Sequence, residues 1–456
     1  MSKLILSCGK EITLNEGQQY ALEQIKKFLN DKKKKFFCLS GSAGSGKTTI
    51  AKSAIENYKG IVCVTAPTHK AVKVIRQATG IESVTLHSLL GLKPDMNLEE
   101  FSEKNLIFTA CSGINGDSNV YDLVLIDEAS MISSALLQLI KMRIKKVIFM
   151  GDPMQLPPVK ESTSFVFNDT EIDVIKLTKV ERQSGDNPLL GLYSIILKNI
   201  DSEVDRYEKT SKIDNGIGYD FITDKYRFVS AMRDSFTENR LENKIICYTN
   251  QRIAIWNSFI RRLISGLDSD SKIDHVSVGD ILMGYRTIRK DKEVLIQNSL
   301  DYEVFSVASG KKIYTVFYDN ENREVQIAGF WVVIKDIDSE IQKKIFIVSP
   351  EAYKDYLIEE RRLTSEAKSA KSDRGQKWKR YFMFKDEFFI LGNCDGCVKD
   401  LDFAYAITCH KSQGSTYENV FVDMADINKN QVSKERNRLK YVALSRPKKA
   451  AYIWGA

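Results

Sequence analysis

Apolar residues in the first third of the chain come in short continuous runs, Phe36–Ser40, Ile61–Thr65, Leu123–Ile126 and Val147–Met150, separated by longer stretches with helical spacing. Runs this short, bounded by polar turns, read as strands buried on both faces, and strands alternating with helices predict a parallel sheet with crossover helices. Each run stops at polar residues: Gly41 onward, Pro67-Thr68-His69, Asp127-Glu128 and Gly151-Asp152. The carboxyl ends of parallel strands line the ligand crevice of an open α/β sheet, so these polar sets are expected on one edge.

The rhythm breaks between residues 92 and 120. Leu92-Lys-Pro-Asp95, strand-like pieces around Phe101 and from Leu106 to Thr109, and the turn Gly113-Ile-Asn-Gly-Asp117 predict a small hairpin inserted into the sheet domain. A second α/β unit is expected from Ile245-Ile-Cys-Tyr-Thr249, resuming at Ala404–Thr408, Val420–Asp423 and Tyr452–Trp454. The interval between its two parts is an insertion. Alternating segments at Val276–Met283, Glu303–Val307, Lys312–Tyr318, Glu324–Ile327 and Trp331–Lys335, punctuated by Gly, Asn and Asp, predict a small β-barrel there.

A chain of 456 residues exceeds one ordinary core and implies two to four domains. No run of 18 apolar residues occurs and the N-terminus turns polar too soon for a signal peptide, so a cytoplasmic protein without a membrane partner is expected. The cysteines are scattered, several inside strand-like runs, as reduced thiols used as small core residues would be. Cys394-Asp-Gly-Cys397 has the spacing of a metal knuckle, but no second such pair accompanies it to complete four zinc ligands. A net charge of +7 suits a polyanionic partner without identifying one. Between Glu359 and Arg380, eight basic residues face four acidic ones with Trp378 alongside, which fits either a nucleic-acid surface or a solvated helix face.

The chemistry begins at Gly41-Ser42-Ala43-Gly44-Ser45-Gly46-Lys47-Thr48, which follows a strand and opens a helix. Glycines let such a loop curl its N–H groups around an anion, the helix end adds positive potential, the lysine pairs with the β- and γ-phosphates and the threonine hydroxyl holds Mg²⁺. A flexible Gly/Ser turn would show the same letters without the flanking strand and helix. Downstream, Leu123-Val-Leu-Ile-Asp127-Glu128 is a strand ending in two carboxylates. Asp127 suits a Mg²⁺ site beside bound phosphate, and Glu128 suits a general base for the attacking water.

With these motifs in view, nearly the full length resembles superfamily 1 helicases of the RecD-like branch, the branch that includes the phage Dda helicases. Leu14-Asn-Glu-Gly-Gln18-Gln-Tyr-Ala21 resembles the Q motif, Thr65-Ala-Pro67-Thr68-His69-Lys-Ala71 motif Ia, Thr85-Leu-His87-Ser88 motif Ib, and Gly151-Asp152-Pro-Met-Gln155-Leu-Pro157-Pro158 motif III. Leu177-Thr-Lys-Val-Glu-Arg182-Gln183 resembles motif IV, Thr408-Cys-His410-Lys-Ser-Gln413-Gly414-Ser-Thr416 motif V, and Tyr441-Val-Ala-Leu-Ser445-Arg446 motif VI.

The resemblance implies two RecA-like P-loop NTPase domains with a hairpin (pin) insertion and an SH3-like barrel insertion: domain 1A over 1–91 and 121–185, 1B over 92–120, 2A over 186–272 and 402–456, and 2B over 273–401. It implies ATP held by Gln18, the P-loop through Thr48 and Thr49, and Gln413 and Gly414, with Mg²⁺ on Thr48 and Asp127. Lys47, Glu128, Gln155, Arg182 and Arg446 become the catalytic set, Gln155 sensing the γ-phosphate and the two arginines spreading charge in the transition state. Pro67, Thr68, His69, His87, Thr249, Asn250, Thr408 and His410 become contacts to single-stranded DNA, which leaves no histidine-based metal centre expected.

The implied activity is ATP-driven translocation on single-stranded DNA, 5′ to 3′, and unwinding of tailed or forked duplex. A single-strand-binding protein or a replisome component would be the protein partner, and the host cytoplasm the location for a phage-encoded chain. Two rivals stay open on the residues alone: an ATP-switched nucleic-acid-binding regulator, and an RNA remodeller.

Overall fold

The computed structural model describes residues 3–5, 11–95, 107–110, 120–158, 161–179, 187–203, 208–267, 273–290, 293–317, 322–370, 372–393 and 397–455. Its first sheet has six strands in the order Asp173–Leu177, Phe36–Gly41, Val147–Gly151, Leu123–Ile126, Val62–Ala66 and Ser83–Thr85, every neighbouring pair parallel. Alternation along the strands feeds two apolar layers. Cys38, Val124, Ile126, Val147 and Phe149 pack on one face, and Phe37, Leu39, Leu123, Leu125 and Ile148 on the other. The sequence expectation missed both edge strands, Ser83–Thr85 and Asp173–Leu177. An edge strand buries little: of Asp173–Leu177 only Leu177 is buried, so no apolar run marks it.

A second six-stranded sheet runs Lys212–Asp214, Ile217–Ile222, Pro447–Trp454, Tyr417–Asp423, Asn243–Cys247 and Ala406–Thr408. All its pairs are parallel except the first. It therefore begins earlier in the chain than Ile245, with the helix Pro188–Lys198 packed on the Ile217–Ile222 strand. Cys247 and Cys409 are free thiols in this core. Both halves of the molecule have the RecA-like architecture of a mostly parallel sheet flanked by helices, and the first carries the Gly41–Thr48 loop.

Between the two parts of the second sheet, an antiparallel sheet runs Gln342–Val348, Asn322–Asp336, Asp301–Phe317, Ile281–Gly284 and Leu401–Phe403. Single bridges from Ile347 to Phe389 and from Leu391 to Leu401 join its two edges, closing it into a small barrel around Leu282, Tyr302, Val304, Val332, Ile334 and Ile345. The four short segments expected from Glu303 to Lys335 are instead two long strands. Gly310 reads as a turn in sequence, yet it pairs with Gly329 mid-strand, where a Cβ on Gly329 would lie 2.2 Å from the Ile347 carbonyl oxygen. Leu401–Phe403 pairs with Ile281–Gly284 as the last strand of this sheet.

The helices Tyr353–Ser369 and Arg374–Lys385 pack together beside the barrel. Trp378 is buried between them and Arg362 is paired with Glu359 and Glu366. The aromatic residue of the basic run is thus a core residue and not part of a nucleic-acid face. In the expected pin, Leu92–Asp95 pairs antiparallel with Ile107–Ala110, while Phe101 lies outside the described residues.

Candidate active site and nucleic-acid face

Each polar set that ends a strand of the first sheet comes to one edge. Gly41 closes the Phe36–Gly41 strand where a Cβ would fall 2.7 Å from Ser45 Oγ and 2.9 Å from the Leu177 carbonyl oxygen. Gly46, at φ +88°, turns the loop into the helix Lys47–Ile55, a backbone conformation that L side chains avoid. Lys47 Nζ donates to the carbonyls of Gly41 (2.7 Å) and Ser42 (2.9 Å), so its ammonium lies over the loop. Gln18 braces that loop from the neighbouring helix. Its Nε2 donates to the Ser45 carbonyl (3.1 Å), while its Oε1 accepts the Asn15 N–H in a reciprocal helix cap.

Asp127 and Glu128 follow the Leu123–Ile126 strand. Glu128 sits at φ 54°, a conformation that turns the chain sharply at the strand tip, and its N–H donates to Asp127 Oδ1 at 2.9 Å. Burial pushes both carboxyl groups upward. For Asp127 the opposing influences are Lys47 and that N–H bond; for Glu128, burial and the Asp127 charge outweigh Arg446 and Lys47 and carry it to about 7. Motif III supplies the next wall: Gly151 has no room for a Cβ, which would sit 2.9 Å from Ala129, and Asp152 Oδ1 accepts the Met154 N–H.

The second sheet completes the site. Pro447 ends the helix Ser433–Leu444 and starts a strand, leaving Arg446 at the junction with its Nε on the Val442 carbonyl (3.0 Å), Nη1 on the Ser415 carbonyl (3.2 Å) and Nη2 on Ser445 Oγ (2.8 Å). Gly414, at φ +71°, approaches so closely that its Cβ position is 3.5 Å from Glu128 Oε1. Hydrogen bonds tie the halves together, among them Gln413 Nε2 to the Leu156 carbonyl (3.3 Å), the Tyr441 hydroxyl to Asp152 Oδ2 (2.6 Å), Arg438 Nη1 to the Ser162 carbonyl (3.3 Å) and Lys70 Nζ to the Tyr417 hydroxyl (3.1 Å). A cavity of about 590 Å³ lies between them, lined by Gln18, Ala43, Gly44, Gly46 to Thr49, Asp127, Glu128, Gln155, Gly414, Ser415 and Arg446 among others. Gln155 Oε1 and Ser415 Oγ are buried here without a hydrogen-bond partner among the described residues. Arg182 lies outside the described residues.

The expected DNA contacts share one local design. Thr68, Thr249 and Thr408 each cap a helix by accepting an N–H three residues on, from Ala71, Arg252 and Lys411, and Thr85 does the same for the short helix carrying His87. Helix N-termini thus cluster at the carboxyl edges of both sheets, where their N–H groups favour anions. Pro67 precedes the cap at Thr68 and Asn250 opens the helix capped by Thr249. Asp426 accepts from the Tyr248 and Thr249 N–H groups and from Thr249 Oγ1, fixing that turn. Burial lowers the pKa of His69, His87 and His410.

His69 Nε2 lies 3.3 Å from Thr287 Oγ1 of the barrel. The helix that follows docks there by charge: Lys70 faces Asp301 (3.7 Å), which also pairs with buried Lys244 (3.1 Å), and Lys73 faces Asp336 (3.4 Å) and Asp338. Lys411 is a further basic group on this side that the residue patterns did not single out; it donates to Asn298 Oδ1 and lies 4.1 Å from the Tyr285 ring centre, and burial draws its pKa to about 8. Asp152 and Tyr441 were visible only as letters of motifs, because their contact joins residues far apart in sequence. Among the described residues no group of three or more His, Cys, Asp or Glu is arranged to hold a metal, and Cys394 lies outside the described residues.

Residues 13–216 match an AAA domain model, and residues 403–454 match the UvrD-like helicase C-terminal domain, the stretch that carries Gly414 and Arg446. The ATP-dependent DNA helicase dda of Enterobacteria phage T4 is 25% identical, over 90% of this chain and 92% of that protein. Over nearly its whole length the chain is similar to the Pif1/Dda-like helicases of superfamily 1. An uncharacterized protein of Acanthamoeba polyphaga mimivirus is also 25% identical, over 95% of this chain and 98% of its own. The ATP-dependent DNA helicase Pif1 of Campylobacter jejuni is 24% identical, over 90% of this chain and 86% of that one. A likeness of this extent spans the segments of both sheets that line the cavity.

Proposed function

We propose that the chain is an ATP-dependent DNA helicase that moves along single-stranded DNA 5′ to 3′ and separates tailed or forked duplex. The observation that carries this reading is the single cavity where Lys47, Asp127 and Glu128 of the first sheet meet Gly414 and Arg446 of the second. A switch that only binds nucleotide needs no base and no arginine from a second domain, whereas hydrolysis uses both. The residues fit nucleotide: Gln155 Oε1 and Ser415 Oγ, without a hydrogen-bond partner among the described residues, line the cavity, and the loop offers N–H groups and an ammonium. Thr48 and Asp127 are the hard-oxygen ligands that Mg²⁺ prefers, with water completing its shell. Bound ATP supplies the phosphoryl group whose hydrolysis drives the cycle.

In this reading Lys47 pairs with phosphate charge, Glu128 takes the proton of the attacking water, and Arg446 offsets charge on the equatorial oxygens. Arg182 is assigned the same task by its motif. The capped helix ends at Thr68, Thr85, Thr249 and Thr408, with His69, His87 and His410, hold the strand across both sheets. Closing and reopening the cleft then alternates grip between domains 1A (1–91, 121–185) and 2A (186–272, 402–456). The hairpin at 92–120 acts as the wedge and the barrel in 273–401 as an SH3-like wall. Among the described residues no helix is long and apolar enough to cross a membrane. A host-cytoplasmic site and a single-strand-binding or replisome partner complete the proposal.

The test is strand displacement on duplexes carrying a 5′ or a 3′ single-stranded tail, run beside ATP hydrolysis with single-stranded DNA, RNA or no polymer. Displacement from the 5′ tail with DNA-stimulated hydrolysis is expected. Displacement only from a 3′ tail refutes the polarity, stimulation by RNA alone makes the chain an RNA remodeller, and binding of ATP without turnover makes it a switch.

A further inference from the structure

Resting on the ATP-driven reading above, the geometry points to Tyr441 as the positioning residue that couples nucleotide at the cleft to the strand-binding side. Its ring is fully buried, with Tyr193 in edge contact at 6.3 Å. Its hydroxyl donates to Asp152 Oδ2 at 2.6 Å. One phenolic oxygen therefore ties motif III, whose Asp152 lines the nucleotide cavity, to the helix that ends beside Arg446. A hydrogen bond this short to a buried carboxylate is of the strong, charge-assisted kind. Asp152 is itself buried, and its other oxygen is already used by Met154, so nothing nearby replaces the phenol.

The same helix also reaches the strand-binding side. Ser433–Leu444 packs on the short helix Cys409–Ser412, which carries His410. One stiff element thus holds motif III through its Tyr441 hydroxyl and lies against the helix of the expected strand contact. Asp152 lines the nucleotide cavity, so a change there is felt by the Tyr441 hydroxyl and, through the helix, at His410.

The experiment compares the full chain with Tyr441→Phe, which keeps the ring and removes only the oxygen. The dissociation constant for a fluorescent single-stranded oligonucleotide is measured without nucleotide and with a saturating non-hydrolysable ATP analogue, whose own binding is measured separately. Coupled sites commonly shift each other's affinity by about 5- to 150-fold. The parental protein should show a ratio of dissociation constants in that range. Tyr441→Phe should bring the ratio to within about 2-fold of one while each ligand alone still binds within a few-fold, and DNA-stimulated kcat should fall more than KM for ATP changes. Simple loss of folded protein lowers the active fraction and leaves the ratio untouched.

A parental ratio in folded Tyr441→Phe overturns the inference, as does a ratio of one in the parent with analogue bound. Should Tyr441→Phe fail to fold, Asp152→Asn, which removes the charge and keeps an acceptor, must reduce the ratio in the same direction; a parental value there also overturns it. Failure of the parent to bind the analogue at all refutes the ATP-driven reading itself.

Discussion

Replacing Arg446 by alanine separates what the guanidinium does for structure from what it does for chemistry. The side chain is only 3% exposed, and its donors are spent on the Val442 and Ser415 carbonyls and on Ser445 Oγ. Those bonds fix the plane of the fork at the cavity wall. Leaving their buried acceptors short of a donor costs about 1–3 kcal/mol of stability, visible as a lower melting temperature. The chemical loss is larger and of a different kind. An arginine that offsets charge peaking in the transition state contributes on the order of 10³-fold to turnover, or about 4 kcal/mol. Arg446→Lys should fall between parent and alanine, because it retains a charge without the planar fork. Single-turnover hydrolysis at saturating DNA, with nucleotide affinity determined independently, resolves the two terms. The expected outcome is nucleotide binding within a few-fold of parental and a chemical step slowed by about three orders of magnitude. Affinity reduced about a thousand-fold, with the residual complex reacting at the parental rate, would refute the reasoning and make Arg446 a ground-state ligand.

Lys47→Ala should abolish hydrolysis with the circular dichroism spectrum unchanged, since it removes a cation from a loop and not from the core; Glu128→Gln should also stop turnover but retain ATP and Mg²⁺ binding, and equal loss of binding in both would contradict their separate roles. Deleting residues 96–110 with a short Gly/Ser bridge should leave DNA-stimulated hydrolysis within a few-fold while strand separation of a tailed duplex nearly vanishes; unwinding at the parental rate in the deletion rejects the wedge. Asp426 provides an acid-stability test: burial raises its pKa, but the Thr249 N–H, Lys429, Thr249 Oγ1 and Tyr248 N–H together hold it below the ordinary carboxylate value. Its contribution is therefore complete above pH about 4 and is lost as pH falls through the lowered folded-state pKa, so Asp426→Asn should flatten the drop in melting temperature between about pH 5 and pH 3.

What was legible in the chain was the chemistry carried by consecutive residues. A P-loop and a strand-end carboxylate pair work through their local backbone, and Gly46 and Glu128 sit where the turn requires them. The capped helix starts were legible as motifs but not as caps, because a threonine before a helix looks the same whether its hydroxyl serves backbone or ligand. Features made by pairing remote segments left weaker traces. Asp173–Leu177 shows one buried side chain and reads as surface, the barrel closes through single bridges at Phe389 and Leu391, and Gly310 and Gly329 look like turn signals until they face each other across two long strands. Trp378 was misplaced for the converse reason: a basic run predicts a surface for its neighbours, yet its helix turns the tryptophan inward.

The lysines of the helix His69–Thr79 have a bearing on how this molecule meets a polyanion. Lys70 and Lys73 stand beside the capped turn at Thr68, where they would ordinarily count as phosphate contacts, but the barrel already supplies Asp301, Asp336 and Asp338 as their counterions. A bound strand releases mobile ions only from lysines that hold mobile ions. The log–log dependence of DNA affinity on salt should accordingly be shallower than the basic residues near the groove suggest, and replacing Asp336 and Asp338 by asparagine should steepen it by about one ion, because Lys73 would then carry a diffusible partner that the DNA can displace.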